Sequence, residues 1–207
     1  MNHKMNQLMS DITFDEITRH LLYDNVPSGY FNGLGSKLKC YPLSMLQELK
    51  NVEQSPIYHP EGNVWNHTMM VIDEASKVRE LCKDSGVFMW SALLHDIGKP
   101  DTTRVRRGRI TSYDHDTVGA RICRKFLEFY TEDNRFIDKV SNMVKYHMHM
   151  LYVLRKLPFG NSSKMLEEIE INDIALLCRC DRLGRIGADV EVEMNNYREF
   201  IKVMREL

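Results

Sequence analysis

This sequence of 207 residues predicts an all-α protein, and three observations carry the prediction. Apolar residues recur at spacings of three and four in five separate segments, the mark of a helix that buries one face. Residues suited to capping stand before two predicted helices. Only one short run, Arg104 to Ile110, alternates basic and apolar residues about a glycine in the manner of a hairpin. Composition agrees, since 43% hydrophobic and 28% charged residues are globular usage, and the 11 Gly and 6 Pro are too sparse for a disordered chain. The length favours one compact unit, or one core with a small subdomain.

Taken in order, Thr13-Phe14-Asp15-Glu16 has the form of a capping box and predicts a helix through about Leu22. Prolines, glycines and serines between Asn25 and Pro42 break that stretch into turns and helical pieces, before a short helix from Leu43 to Leu49 completes a small N-terminal helical subdomain. Two prolines and a glycine make Gln54 to Gly62 an ordered loop. Val64, His67, Val71, Ala75 and Val78 form one face of a helix running to about Cys82. The segment from Val87 to Leu94 is apolar nearly all round, as a helix at the centre of a bundle is, and Gly98 and Pro100 are expected to end it. Ile122, Cys123, Phe126 and Tyr130 mark the next helix. Thr131 is expected to cap the one after, whose stripe is Phe136, Val140, Met143, Val144 and His147. A short helix from Lys164 to Ile169 and a longer one from Asn172 to Leu183 follow. The last, from about Val190 to Leu207, buries Met194, Tyr197, Ile201 and Met204 and reads as a packing element.

Within this pattern the pair His95-Asp96 stands at the end of the most apolar helix, bringing an imidazole and a carboxylate together away from bulk water. Both suit a borderline divalent metal. His67 points inward from its own helix, where alone it would read as a hydrogen-bonded core histidine. Asp181 continues the apolar stripe of Ile174, Leu177 and Cys178, and an unpaired carboxylate on a core face demands a cation. That cation is either a metal or one of Arg179, Arg182 and Arg185. His147 lies on a core face near its helix end, His115 at the mouth of its helix, and His149, two residues past His147, is expected to be exposed.

The net charge of −1 supplies no field to hold duplex DNA, so any nucleic-acid role must rest on a local patch. The arginines between Arg104 and Arg109 form one, and guanidinium groups grip phosphate oxygens in a bidentate fork. The five cysteines are odd in number and scattered, which fits reduced thiols; Cys178 and Cys180 read as core. With no signal-like N-terminus and no apolar run near the ~20 residues of a membrane span, the expectation is a cytoplasmic protein without membrane association.

His67, His95-Asp96 and Asp181, in that order on three helical elements, resemble the HD superfamily of metal-dependent phosphohydrolases. His115 and His147 fit by order and position the two further histidines of the branches that hold two metals. Over roughly residues 40 to 150 the likeness narrows. His59-Pro60-Glu61-Gly62-Asn63-Val64-Trp65-Asn66-His67-Thr68, His95-Asp96-Ile97-Gly98-Lys99-Pro100, and Gly108-Arg109-Ile110 followed by His115 and Gly119-Ala120 resemble the HD domain attached to bacterial CCA-adding tRNA nucleotidyltransferases. Nothing here resembles their nucleotidyltransferase head. No Gly-Tyr-Pro follows the histidines and no Glu-Asp follows His95-Asp96, which separates the chain from the cyclic-di-GMP and alarmone branches.

The resemblance implies an HD-domain helical bundle, with residues 1–50 an N-terminal helical segment packed on the core and 51–207 the phosphohydrolase domain. It implies one metal (Mn, Fe, Co, Ni, Zn or Mg) held by His67, His95, Asp96 and Asp181, and a second held by Asp96, His115 and His147. Asp96 would position the attacking water. Lys99 is expected to neutralise charge on the substrate phosphate, unless it only helps to end its helix, and Arg109 to hold a second phosphate oxygen. The expected substrate is a small phosphorylated molecule, a nucleotide or RNA terminus. The competing reading is a non-catalytic HD module that binds nucleotide or RNA as a regulatory unit, and the completeness of the ligand set favours the enzyme.

Overall fold

A computed structural model describes residues 8–207; residues 1–7 of the predicted N-terminal segment lie outside the described residues. The chain is mostly helix, as predicted. Helix α1 (Phe14–Tyr23) starts on Thr13, whose hydroxyl accepts the Glu16 N–H at 3.1 Å. Only that half of the capping box forms, because Glu16 instead accepts the Tyr30 hydroxyl at 3.0 Å. Helices α2 (Ser28–Gly33) and α3 (Ser44–Gln47) alternate with 3₁₀ turns at Gly35–Lys39 and Glu48–Asn51, the broken pattern that the Pro and Gly density predicts.

Helix α4 (Val64–Ser76) is capped by the Asn63 side chain and carries His67 inward. It stops six residues before Cys82. The Ser76 hydroxyl lies in donating range of the carbonyl oxygens of Asp73 and Asn25, and Val78 leaves helical backbone at φ −128° before a 3₁₀ turn at Arg79–Leu81. Helix α5 (Ser85–Leu94), capped by Asp84, is buried throughout from Val87 onward and forms the centre of the bundle. Trp90 within it stacks on Phe14 of α1 at 5.0 Å and donates its indole N–H to Thr18 at 3.0 Å, tying the N-terminal segment to the core.

After Leu94 the chain makes a tight turn through His95-Asp96-Ile97-Gly98 and immediately starts α6 (Lys99–Thr102). Pro100 therefore opens a helix here rather than ending one; in a first turn its missing N–H costs nothing. The hairpin follows as predicted, β1 (Arg104–Arg106) pairing antiparallel with β2 (Arg109–Thr111). Helices α7 (His115–Glu128) and α8 (Asn134–Tyr146) pack closely against one another. Asp133, not Thr131, caps α8 by accepting the Phe136 N–H at 3.0 Å. Thr131 takes the Asp133 N–H and so shapes the approach to the cap.

A two-residue turn at His147-Met148 separates helix α9 (His149–Leu154) from α8, so the period of α8 does not extend to His149. The expectation of an exposed His149 is overturned: it is buried against Tyr146, at 4.8 Å between ring centroids, and its Nε2 accepts the Asn161 N–H. Helices α10 (Ser162–Glu168), α11 (Ile171–Leu183) and α12 (Val190–Arg205) complete the fold. One apolar cluster runs from Ile12 to Met204 and contains Cys123, Cys178 and Cys180. Among the described residues no helix is long and apolar enough to cross a membrane.

Candidate metal centre

The turn after α5 brings together side chains from four helices. Every one of the four histidines uses its Nδ1 on a backbone carbonyl. His67 faces the Gly184 oxygen at 3.1 Å, His95 that of Ala92 at 2.8 Å, His115 that of Ser112 at 2.7 Å and His147 that of Val144 at 2.6 Å. Such a bond fixes the tautomer, so each ring, when neutral, turns an Nε2 lone pair toward the centre. Asp96 lies between them and divides its oxygens. Oδ2 is 3.2 Å from His95 Nε2 and 3.8 Å from His67 Nε2, while Oδ1 is 3.5 Å from His115 Nε2 and 3.8 Å from His147 Nε2. His67, His95 and Asp96 thus form one group that could hold a metal ion, and Asp96, His115 and His147 another. Asp181 borders the first through His67 alone, its Oδ1 at 2.9 Å from His67 Nε2, and lies outside the group of mutually close ligand atoms.

Two close backbone approaches make this geometry possible. A Cβ on Gly98 would stand 2.2 Å from the His115 carbonyl oxygen and 2.5 Å from the Gly119 nitrogen, so only glycine lets the turn lie against α7. A Cβ on Gly184 would stand 2.5 Å from Val71 Cγ2, and the same contact with α4 delivers the carbonyl that orients His67.

The two groups differ electrically. Burial opposes a proton on His67, but its bonds to Asp181 and Glu61 outweigh burial and raise its pKa above that of an ordinary imidazole. Burial would likewise raise the carboxyls. Arg185 and His67 hold Asp181 well below the usual range, and Lys99 and His95 do the same for Asp96. On the other side burial dominates. It lowers His115, and together with the charges of His115 and His95 it lowers His147 to about 4.

The residues are arranged to receive a cation. His115 Nε2 and His147 Nε2 are 3.1 Å apart, and with both Nδ1 atoms donating, two lone pairs face each other across that gap. Buried His95 Nε2 and Asp96 Oδ1 have no hydrogen bond, while Asp96 Oδ2 is ion-paired with the Lys99 ammonium at 2.7 Å. A centre of converging acceptors, mixed imidazole and carboxylate without thiolate, suits divalent first-row metals.

Of the cations considered for Asp181, Arg185 is the partner, at 3.2 Å; Arg182 pairs with Glu193 and Arg179 lies over the Tyr197 ring. Lys99 turns inward, its Nζ 2.7 Å from Asp96 Oδ2 and 2.7 Å from Gln54 Oε1. Arg109 stands exposed on β2 and makes no ion pair among the described residues. Sequence reasoning missed Glu61, which accepts from His59 at 2.8 Å and lies 3.1 Å from His67 Nδ1. It also missed Gln54. Both sit in the loop before α4, where no periodicity exists to say which way a side chain points; the only signal was their place just ahead of an inward-facing histidine.

A family model described as HD domain matches residues 64–185. The chain is 25% identical over 198 residues to the Multifunctional CCA protein of Alkalilimnicola ehrlichii, an alignment covering 90% of this chain and 45% of that protein. It is 27% identical over 180 residues to the Multifunctional CCA protein of Methylococcus capsulatus, covering 80% and 40%, and 26% over 195 residues to that of Nitrosospira multiformis, covering 90% and 45%. The chain therefore spans less than half the length of these curated relatives.

Proposed function

The chain belongs to the HD domain family, a superfamily of metal-dependent phosphohydrolases, and on that premise we propose that it hydrolyses a phosphate ester of a nucleotide or an RNA end. The observation that carries the proposal is the buried convergence of four imidazole Nε2 atoms on the two oxygens of Asp96. His67, His95, Asp96 and Asp181 would hold one divalent ion, and Asp96, His115 and His147 a second. Ions bound there supply Lewis acidity to water and to a phosphoryl oxygen.

The chain's own residues do the rest. Asp96 divides its carboxylate between the two sides and holds them in register, and it is placed to orient the attacking water. Lys99, buried beside Asp96, offers the ammonium that offsets charge gathering on the phosphate in the transition state. Gln54 holds that ammonium in place from the opposite side. Glu61 and the Gly184 carbonyl fix the His67 ring. Arg109, on the hairpin between α6 and α7, is the candidate for a second phosphate contact.

The complete ligand set supports an enzyme over a unit that only binds. The test is a screen of mononucleotides, cyclic nucleotides, short RNAs and bis-p-nitrophenyl phosphate against Mn, Fe, Co, Ni, Zn and Mg, with metal content read by elemental analysis. We expect metal-dependent release of phosphate or nitrophenol. A metal-loaded protein that turns over none of these substrates overturns the catalytic reading.

A further inference from the structure

We infer that the hairpin Arg104–Thr111, with Tyr113, is a landing surface for a single-stranded nucleic-acid strand, so that the substrate is an oligonucleotide rather than a lone nucleotide. The inference rests on the proposed phosphohydrolase reading and names the substrate class for it.

The register settles how the arginines are presented. Arg104 opposes Thr111, Val105 opposes Ile110, and Arg106 opposes Arg109. Opposed residues in an antiparallel pair share a face, and neighbours alternate. One face of the ribbon therefore carries Arg104, Arg106 and Arg109, and the other Val105 and Ile110. Like charges directly opposite each other destabilise a strand pair, so Arg106 and Arg109 are a cost to the free hairpin that an anion between them removes.

The tip adds a second observation. Arg107 and Gly108 both have positive φ, 50° and 73°, as a two-residue type I′ turn requires. Gly, Asn or Asp suits the first of those positions, and an arginine there sits in backbone that ordinary residues avoid at a cost of about 1 kcal/mol or more. The turn thus trades local comfort for a fourth guanidinium.

None of the four arginines has a carboxylate partner among the described residues, and no acidic residue occurs between Asp101 and Asp114. Elsewhere on the surface the cations are mixed. Lys37, Lys77, Lys83, Arg124, Lys139 and Lys145 are each paired, whereas Lys39, Arg121, Lys125, Arg155 and Lys156 have no carboxylate partner among the described residues. What marks the hairpin, in a chain whose net charge is −1, is the density of four unpaired arginines between Arg104 and Arg109.

The hairpin also has a stacking partner. Tyr113 is 59% exposed; the Arg106 guanidinium lies over one face of its ring at 5.1 Å, so a base would stack on the other face. Guanidinium groups that track phosphates beside an aromatic on which bases stack are the means by which single strands are held. The ribbon is rooted beside the candidate metal centre. Thr103 and Ser112 close its base through their hydroxyls at 2.7 Å, and the Ser112 carbonyl is the one that orients His115. Four steps of extended chain from Thr103 to Arg107 put the tip roughly 13 Å beyond that base, which favours contact with several successive nucleotides.

The test is a fluorescence-anisotropy titration of the full chain with a single-stranded ten-nucleotide RNA blocked at both ends, so that binding is read without end hydrolysis. Wild-type protein should bind it with steep salt dependence. The variant Arg104→Ala/Arg106→Ala/Arg107→Ala should bind about tenfold or more weakly at low salt, with the log–log salt slope reduced by about 2 for three lost phosphate contacts. Val105→Ala, on the opposite face, should bind as wild type does, and thermal melts should show all variants folded. Unchanged affinity in the triple variant overturns the inference. So does equal, arginine-dependent binding of poly-glutamate, which would make the surface a dock for acidic protein, or of duplex RNA. Hydrolysis of bis-p-nitrophenyl phosphate by the wild-type protein is scored separately, so a failed strand-binding result and a failed catalytic reading remain distinct.

Discussion

The two sides of Asp96 solve the same problem in opposite ways. On the His67 side the imidazole is enclosed by carboxylates, Asp181 at 2.9 Å and Glu61 at 3.1 Å, with Arg185 and Lys99 behind them. That side can be satisfied by a proton, because a doubly protonated His67 bonds to acceptors at both nitrogens. On the His115 and His147 side the ring nitrogens meet backbone carbonyls, each other and one oxygen of Asp96, with the His95 ring 5.4 Å from that of His147. Burial keeps that side neutral, and its facing lone pairs have no proton to share. Without metal, therefore, one side is an ion-pair network and the other an electrostatic defect.

Removing the shared residue should have the largest effect. Asp96→Ala is expected to abolish retention of metal on both sides and to bring phosphodiester hydrolysis to background, read by elemental analysis and nitrophenol release. Residual turnover near wild type would break the premise of a common centre. Splitting the sides comes next. Asp181→Asn and His147→Gln should each reduce a two-ion stoichiometry to one, by removing different ions; two ions retained in the His147 variant would mean that the second group is not a site.

A smaller effect is expected for Glu61→Gln, which keeps the shape of the side chain but removes the charge beside His67. An outer hydrogen-bond partner of this kind is worth about 10–100-fold in metal affinity. Competition titration with a fluorescent chelator measures it, and an effect on both ions alike would count against the asymmetry. The smallest is the acid response of metal-stripped protein. His115 and His147 have lowered pKa values when folded, so below about 6.5 the unfolded chain takes up protons that the folded chain refuses. Stability should fall as pH drops from about 6.5 toward about 4, at about 2–4 °C of Tm per kcal/mol for a chain of this size. His67 works in the other direction, its raised pKa contributing stability at low pH that is lost as pH rises. His147→Gln should flatten the acid-side decline, as followed by thermal melts at pH 5 and 7.

The helices, the buried α5 and the inward set of His67, His95, Asp96, His147 and Asp181 were legible because a 3.6-residue period tells which side chains face the core. Legibility failed where the period is interrupted. His149 follows a break in the helix, so extrapolating the face of α8 pointed it the wrong way. Pro100 was read as a stop because a single sequence does not reveal that a new helix starts at Lys99. Ser76 and Val78 ended α4 early through side-chain bonds and backbone angles that periodicity does not encode. Gln54 and Glu61 lie in a loop, where orientation is set entirely by tertiary packing. The choice of Arg185 over Arg179 and Arg182 as the partner of Asp181 follows from the i,i+4 spacing that continues past the helix end, a rule readable in the sequence, since residues one or two positions away do not face Asp181 on a helix.

The contact of Gly98 with Gly119 and the His115 carbonyl carries a last consequence. It is backbone on backbone, with no side chain between the turn that bears Asp96 and the helix that bears His115. Side chains repack and absorb small displacements, whereas peptide groups in direct contact do not. The spacing between the Asp96 turn and the His115 helix is therefore gauged by the main chain. Drift elsewhere in the bundle leaves it unchanged, and altering it requires breaking this seam.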